Sequence, residues 1–166
     1  FELIDYTILT DEISSQLIDN IESKNIDFRI CVKENINFIS DRRLVYLILY
    51  NIMENAVNFS FPMPDRPSFV SLEIGQQEDC SMSIQIKDNG IGILEEALPT
   101  VFNMFAVADN KSRGYGLGLY IVKKAVDKLG GKQFISSKKF EFTAVKIELP
   151  CIQTENNPIK SLQNIS

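Results

Sequence analysis

Three carboxamide side chains recur within one short segment of the chain, at Asn51, Asn55 and Asn58. At 100° per residue they fall in one stripe beside the apolar face of a predicted helix. Asparagine is a poor helix former, because its side chain competes for backbone hydrogen bonds. Amide oxygens can ligate a hard cation such as Mg²⁺ and can bond to phosphates. The row therefore predicts a metal and phosphate site, with a solvated polar flank as the alternative.

A second stretch, Lys-Asp-Asn-Gly-Ile-Gly-Ile at residues 87–93, places an acid beside two glycines. Asp88 continues the alternation of the apolar residues in 82–86, so its carboxylate is predicted to point to the apolar side of a sheet. A carboxylate there is costly unless it is paired or hydrogen-bonded. The exocyclic amine of a purine is a suitable donor, and Gly90 and Gly92 leave room for its ring. The alternative is an ordinary Asx-Gly turn that ends a hairpin strand.

A third stretch, Ser-Arg-Gly-Tyr-Gly-Leu-Gly-Leu at residues 112–119, opens a predicted helix. Alternate glycines let a backbone wrap closely around an anion, and a helix start adds unpaired amides and the positive end of a dipole. No Gly-Lys-Ser/Thr follows, so this is not the common phosphate loop of nucleotidases, and the spacing does not fit the dinucleotide fingerprint. A flexible loop is the alternative.

The composition excludes several other kinds of chemistry. The chain has no histidine, which removes histidine metal sites, the Ser-His-Asp triad and the Cys-His pair. Its net charge of −5 gives no general attraction for nucleic acid. The three cysteines, Cys31, Cys80 and Cys151, match no zinc spacing and are expected to be reduced thiols in a cytosolic domain.

Periodicity predicts the elements that position these residues. Helices are expected over residues 9–23, 41–60 and 117–129. Strands are expected over residues 28–32, 70–74, 82–86, 134–137 and 143–149, with a polar turn at 75–79. This mixed order predicts a two-layer α/β sandwich, in which helices pack on one face of a mixed sheet. We expect one domain over residues 1–150 and a flexible C-terminal tail over 151–166.

In this order and at these spacings, the three stretches resemble the ATP-binding core shared by histidine kinases, gyrase-type ATPases and related chaperones. The match favours the sensor histidine kinases, whose motifs are Asn-Leu-Leu-x-Asn-Ala, Asp-x-Gly-x-Gly and Gly-x-Gly-Leu-Gly-Leu. Residues 101–105, Val-Phe-Asn-Met-Phe, are similar to the phenylalanine box of that family. The resemblance covers residues 4–150 and implies the Bergerat fold, with ATP and Mg²⁺ as cofactors.

The resemblance also implies roles for individual residues. Asn55 would ligate Mg²⁺ and Asn51 would support it, so these two are the candidate catalytic residues, while Asp88 would read the adenine amine. Residues 103–115 would form a mobile lid over ATP. Phe102 and Phe105 would anchor this lid, or they would belong to the ordinary core. The further candidate ATP-binding residues are Asn58, Phe59, Gly90, Ile91, Gly92, Lys111, Arg113, Gly114, Tyr115, Gly116, Leu117 and Gly118.

Three positions depart from the family pattern. Asn58 stands where the family often has Lys, Val107 where an Arg is common, and Tyr115 where a small Ser or Thr is usual. Because Asn58 replaces that Lys, one expected contact to phosphate loses its positive charge. Lys111 and Arg113 remain as lid cations, although both could equally be solvated surface charges.

Asn51 decides between transfer and hydrolysis. In the hydrolysing relatives a Glu at this position activates water as a general base, whereas an amide cannot take a proton at neutral pH. Glu54 is adjacent to Asn55 and points about 100° away from it around the helix, which makes it a poor substitute. The sequence therefore predicts transfer of the ATP γ-phosphate rather than hydrolysis.

The resemblance implies that the acceptor is a histidine on a separate dimerisation domain of the same parent kinase, and that a response regulator receiver domain is a further partner. We expect a cytoplasmic, monomeric fragment that does not bind nucleic acid. It starts at Phe1 without a secretory leader, as a piece of a longer protein that could be attached to a membrane. The alternatives are a nucleotide-binding regulatory module with weak or no kinase activity, and a Ser/Thr kinase of the same fold.

Overall fold

The computed structural model of the chain describes residues 1–61, 65–106 and 116–151. Three α-helices and seven strands are found in these ranges. The helices are α1 (Tyr6–Ser23), α2 (Arg42–Asn58) and α3 (Gly118–Lys128), and a 3₁₀ segment spans Glu95–Thr100. The strands are β1 (Glu2–Leu3), β2 (Asp27–Val32), β3 (Ile39–Ser40), β4 (Phe69–Gln76), β5 (Met82–Asp88), β6 (Lys132–Lys138) and β7 (Phe142–Leu149).

Five strands form one mixed sheet in the order β2-β4-β5-β7-β6. β2 and β4 are parallel, and every other neighbouring pair is antiparallel. Alternate residues of the central strands, such as Leu72, Ile84 and Ile147, are fully buried in one cluster with the apolar residues of the three helices. The expected two-layer sandwich, with helices on one face of a mixed sheet, is therefore confirmed.

α2 carries the carboxamide row, and side chains fix both of its ends. The carboxylate of Asp41 accepts hydrogen bonds from the amides of Arg43 (2.9 Å) and Leu44 (3.2 Å), which confirms the predicted start. At the other end, Nζ of Lys24 donates to the last carbonyl oxygens, those of Val57 (2.9 Å) and Asn58 (2.6 Å). A cation at this C-terminal end also interacts favourably with the negative end of the helix dipole.

The structure differs from the predicted elements mainly in three places, besides shifts of one or two residues such as the end of α2 at Asn58 rather than at 60. The turn between β4 and β5 spans residues 77–81 rather than 75–79, because Gly75 and Gln76 still pair with β5. α1 begins at Tyr6, since Asp5 caps it by accepting a bond from the amide of Ile8 (3.0 Å). β1 and β3 form a small antiparallel sheet that was not predicted, because two-residue strands are too short to show a period.

Two predicted segments fall partly or wholly outside the described ranges. Of the expected lid over 103–115, only residues 103–106 are described, and of the expected tail over 151–166, only Cys151 is. Among the helices that are described, none has the length and apolar character needed to cross a membrane.

The orientation of α2 is tested by truncating two neighbouring residues. Ile48 is fully buried, whereas the side chain of Leu47 is 39 % exposed. We expect Ile48→Ala to lower the free energy of unfolding by about 2–5 kcal/mol, because it leaves a cavity in the core. Leu47→Ala is the matched control and should cost less than about 1 kcal/mol. Urea unfolding of both variants measures the difference, and equal losses would contradict this orientation of the helix.

Candidate functional site

One cavity of about 390 Å³ lies between α2, the loop that follows β5 and the start of α3. Residues from all three singled-out stretches line it. They are Asn51, Asn55, Asn58, Phe59, Asp88, Ile91, Gly92, Gly116, Leu117 and Gly118. Gly90 is not among the lining residues. Lys111, Arg113, Gly114 and Tyr115 fall outside the described residues.

Asp88 is the last residue of β5 and is only 5 % exposed. Its Oδ1 accepts a hydrogen bond from the amide of Gly90 at 2.8 Å. Burial raises the pKa of the Asp88 carboxyl from its ordinary 3.8 to about 6, against the opposing effect of that bond. Among the described residues no other group bonds to this carboxylate, so its second oxygen remains available to a donor in the cavity.

The two glycines after Asp88 permit close approaches of backbone to backbone. A Cβ on Gly90 would overlap the carbonyl oxygen of Phe59, the residue that caps α2. Gly92 has a φ of +62°, and a Cβ there would overlap the backbone of Lys138, at the end of β6. The amide of Ile91 donates to the Phe59 carbonyl at 3.1 Å. The loop is thus held between α2 and the β6–β7 turn.

Asn89 and Arg66 hold the same loop from its other side. The carboxamide of Asn89 accepts from the amide of Phe69 (2.9 Å) and donates to the carbonyl of Pro67 (2.9 Å). The guanidinium of Arg66 donates to the carbonyls of Asn89 (2.6 Å) and Glu141 (3.0 Å). These bonds fix the direction in which the carboxylate at residue 88 enters the cavity. Sequence reasoning did not identify either residue, because both act through backbone that only the fold brings near.

The carboxamides of α2 differ in their surroundings. Asn51 is 7 % exposed, and its Nδ2 donates to the carbonyl of Leu47 at 2.7 Å. Asn55 is half-buried, and its carboxamide makes no hydrogen bond with any residue in the described part of the chain. Asn58 is exposed at the end of the helix. The row therefore leads from a buried amide, through a partly open one, to solvent.

α3 begins directly against this row. A Cβ on Gly118 would lie 3.1 Å from Nδ2 of Asn55 and 3.3 Å from Oδ1 of Asn51, so glycine allows the two helices to meet here. The N-cap residue Leu117 offers no side-chain hydrogen bond to the helix. The first amide of the helix with an intrahelical partner is that of Ile121, which donates to Leu117 at 2.8 Å. The earlier amides are donors for an anion at the positive end of the dipole.

The two ends of the expected lid meet at its base. The amide of Phe105 donates to the carbonyl of Gly116 at 3.1 Å. Gly116 has a φ of +65°, and a Cβ there would crowd the Ala106 carbonyl at 2.7 Å. The core interpretation is wrong for Phe105, whose side chain is 64 % exposed, while Phe102 is half-buried.

The remaining walls of the cavity were not predicted from the sequence. They are mainly apolar: Ile52, Ala56, Ile86, Ile93, Val101, Ala106, Leu119, Ile121, Ile135 and Val145, with Glu54 and Thr143 as the polar members. Thr143 lies opposite Asp88 in the β5–β7 pairing, a position that only the strand register reveals. Apolar walls with a few convergent polar groups are typical of small-molecule sites.

No group of three or more His, Cys, Asp or Glu side chains converges on a possible metal within the described ranges. A cation in this cavity would therefore be held through amide oxygen, with its other ligands from water and from the bound molecule. Such a donor set suits Mg²⁺, which takes oxygen ligands and usually keeps several waters.

A family model described as histidine kinase-, DNA gyrase B- and HSP90-like ATPase matches residues 40–153. The autoinducer 2 sensor kinase/phosphatase LuxQ of Vibrio vulnificus (strain YJ016) is 33 % identical over 121 residues, and the match covers 70 % of this chain and 14 % of LuxQ. The chain thus spans about a seventh of the length of that relative.

Solved structures agree with the family model. The structure of the mycobacterial sensor histidine kinase MprB is 27 % identical, with a TM-score of 0.72 over 90 % of this chain and 98 % of that one. The structure of full-length ShkA in complex with AMPPNP matches with a TM-score of 0.78, over 90 % of this chain and 31 % of ShkA. At 22 % identity, this match shows the fold alone. The chain therefore belongs to the histidine kinase-, DNA gyrase B- and HSP90-like ATPases, as an ATP-binding catalytic domain of the sensor histidine kinase type.

Proposed function

We propose that this domain binds ATP together with Mg²⁺ and transfers the γ-phosphate to a histidine on a separate dimerisation domain of the same parent protein. The observation that carries the proposal is the single cavity shared by the buried acid of β5, the amides of α2 and the start of α3. A response regulator receiver domain would then accept the phosphate from that histidine.

Adenine recognition would fall to Asp88. One carboxylate oxygen is held by Gly90, and the other can accept the exocyclic amine of the base. The apolar side chains around it, among them Ile91 and Val145, suit the faces of a flat ring. Gly92 lines the same cavity, and its close approach to the Lys138 backbone leaves no room for a side chain there.

The phosphates and the metal would lie at the other end of the cavity. Asn55 would offer its amide oxygen to Mg²⁺. Asn51, whose side chain is hydrogen-bonded to the Leu47 carbonyl, would support Asn55 at the contact with Gly118. The amides of Gly116, Leu117 and Gly118 would donate to phosphate oxygens. Asn58 and Phe59 complete the wall at the end of α2. Lys111, Arg113, Gly114 and Tyr115 would act from the lid, outside the described residues.

The site is poorly equipped to activate water. Asn51 is an amide, and its nitrogen is already bonded to the backbone. Glu54 reaches the cavity wall, but its Oε1 accepts a hydrogen bond from the hydroxyl of Tyr50 at 3.0 Å. What remains is to position the γ-phosphate and neutralise its charge, which is sufficient for transfer to an incoming nucleophile.

The acceptor would come from outside this chain, which contains no histidine. In the transfer, the bond between the γ-phosphorus and the bridging oxygen breaks, a phosphorus–nitrogen bond forms, and the imidazole proton leaves to solvent. We place residues 1–150 in one cytoplasmic, monomeric catalytic domain, followed by a tail over 151–166. The net charge of −5 supports a role without nucleic acid.

Replacing Asn55 tests the metal site. We expect Asn55→Ala to weaken binding of a non-hydrolysable ATP analogue at least tenfold in Mg²⁺, because a metal ligand is lost, and to change it little in EDTA. Asn20→Ala, at an exposed position of α1, is the matched control and should bind as wild type. Calorimetric titration measures both conditions. An equal loss with and without Mg²⁺ would show that Asn55 does not hold the metal.

Phosphotransfer is tested by adding the missing acceptor. The chain alone should give no acid-labile phosphohistidine with labelled Mg-ATP, and should hydrolyse ATP more slowly than about 1 s⁻¹. Addition of a compatible histidine-bearing helical hairpin should restore acid-labile labelling of the hairpin. Acid-stable phosphoserine or phosphothreonine on a partner would favour a Ser/Thr kinase. Nucleotide binding without labelling of any hairpin would favour a regulatory module, as the uncharged Asn58 suggests.

The buried acid is predicted to bind adenine at a cost in stability. Because the folded pKa of Asp88 is raised, the free energy of unfolding falls as the pH rises from about 4 to 6 and stays lower above 6. We expect nucleotide-free Asp88→Asn to be more stable than wild type above pH 6, by roughly 3 kcal/mol at most. The same variant should lose adenine recognition.

Urea unfolding of wild type and Asp88→Asn from pH 4 to 8 measures this. At pH 4 both side chains are largely uncharged, so the two proteins should be nearly equal, which provides the internal control. A difference in stability that does not change with pH would contradict the raised pKa of Asp88.

A further inference from the structure

Two cysteines that lie far apart in the sequence come together at one end of the sheet. In the antiparallel pairing of β5 with β7, Met82 lies opposite Leu149. Cys80 and Cys151 lie two residues beyond this last pair, at the same end of the two strands, and their thiols are close enough to interact. A disulfide requires Cα atoms roughly 4.4–6.8 Å apart, so only neighbouring cysteines such as these can form one.

Cys80 is held in the β4–β5 turn by bonds on both sides of its peptide. Its amide donates to the carbonyl of Gln77 (3.0 Å), and its carbonyl accepts from Nε2 of Gln76 (3.0 Å). The next residue, Ser81, donates through its amide (3.0 Å) to the Asp79 carboxylate. Cys80 has a φ of +67°, a left-handed conformation uncommon for any residue with a side chain. The turn therefore sets the direction of the exposed thiol.

The two thiols act on each other. Burial raises the pKa of the half-buried Cys151 thiol, and the neighbouring thiol of Cys80 and the charge of Asp79 raise it further. A structural zinc site needs four ligands, and the described residues offer no group of even three suitable side chains. The geometry suits a bond between the two sulfurs rather than a shared metal.

We propose that Cys80 and Cys151 form a redox-active dithiol, which a small-molecule disulfide such as oxidised glutathione converts into an intramolecular disulfide. The exposed Cys80 thiolate attacks the external disulfide, forming a mixed disulfide and releasing one thiol. Cys151 then loses its proton and attacks the Cys80 sulfur, releasing the second thiol. The two protein thiols are oxidised, and the external disulfide is reduced to two thiols.

The bond would join the β4–β5 turn to the residues that leave β7. It would close a loop of about 70 residues and restrict the unfolded chain accordingly. Asp88 and Thr143 are paired at the other end of the same two strands, six residues from the Met82–Leu149 pair and therefore roughly 20 Å from it at about 3.4 Å per residue. Oxidation is therefore expected to stabilise the fold and to leave nucleotide affinity unchanged within about twofold.

The test is thiol trapping on the full chain in mixtures of oxidised and reduced glutathione. Samples are quenched with acid and alkylated, and the peptides are mapped by mass spectrometry. We expect a linked Cys80–Cys151 peptide at an oxidised-to-reduced ratio at least tenfold lower than the ratio that modifies Cys31, an exposed thiol on β2. Cys31→Ser is the matched control and should keep the linked peptide, whereas Cys80→Ser and Cys151→Ser should abolish it.

Oxidised wild type and Cys31→Ser should also unfold at a temperature about 5 °C higher than their reduced forms. Two results would overturn the proposal: glutathione that persists on Cys80 without giving the linked peptide, or both thiols still alkylated once Cys31 is fully modified. If a serine variant fails to fold, the mapped peptide of the wild type decides alone.

Discussion

A single hydrogen bond, from the amide of Gly90 to Oδ1 of Asp88, is the only partner that the described residues give to a buried carboxylate. One bond does not offset the burial, as the raised pKa of Asp88 shows. The fold therefore carries a group that would be better satisfied by a further donor from the cavity. Much of the surrounding architecture holds this one group in place. The loop after β5 is fixed by Arg66 and Asn89 on one side and by the Phe59 carbonyl on the other.

The position of β5 explains how the sheet tolerates that cost. β5 is the middle strand of five, paired with β4 and β7 over its whole length, and its apolar residues are buried. A strand supported on both sides cannot shift its end residue away from the apolar layer without breaking two ladders. An acid at the end of an edge strand could instead turn toward water. A central strand makes the unfavourable burial permanent, so the site is ready for its ligand before the ligand arrives.

Much of the fold could be predicted from the sequence, and the reasons are local. The cap at Asp41 and the alternation in β4 and β5 are visible in the residues themselves, and the structure confirms both. The strands β1 and β3 have only two residues each, too few to show an alternation of apolar and polar residues. The candidate site came from three motifs, and its candidate residues in the described ranges, apart from Gly90, line one cavity.

Other features depend on the pairing of strands far apart in the chain. The position of Thr143 opposite Asp88 follows from the β5–β7 register, and the same pairing brings the segments that carry Cys80 and Cys151 to one end of the sheet. Spacing in the sequence alone gives neither, and reading the cysteines only for zinc spacing hid their proximity. Arg66 was missed for a similar reason, since all its partners are backbone carbonyls that no residue type reveals.

The contact between α2 and α3 links the two halves of the site. Gly118 lets the start of α3 come within van der Waals range of the carboxamides of Asn51 and Asn55. A side chain at residue 118 would push the free amides of α3 away from Asn55, and a phosphate could then no longer reach both. Asn51 itself offers no base to a water molecule in the cavity, because its side chain is an amide whose nitrogen is bonded to the Leu47 carbonyl. In the proposed function, Gly118 would thus bring the amides of α3 to the proposed metal ligand Asn55, while the non-basic Asn51 beside it would disfavour hydrolysis.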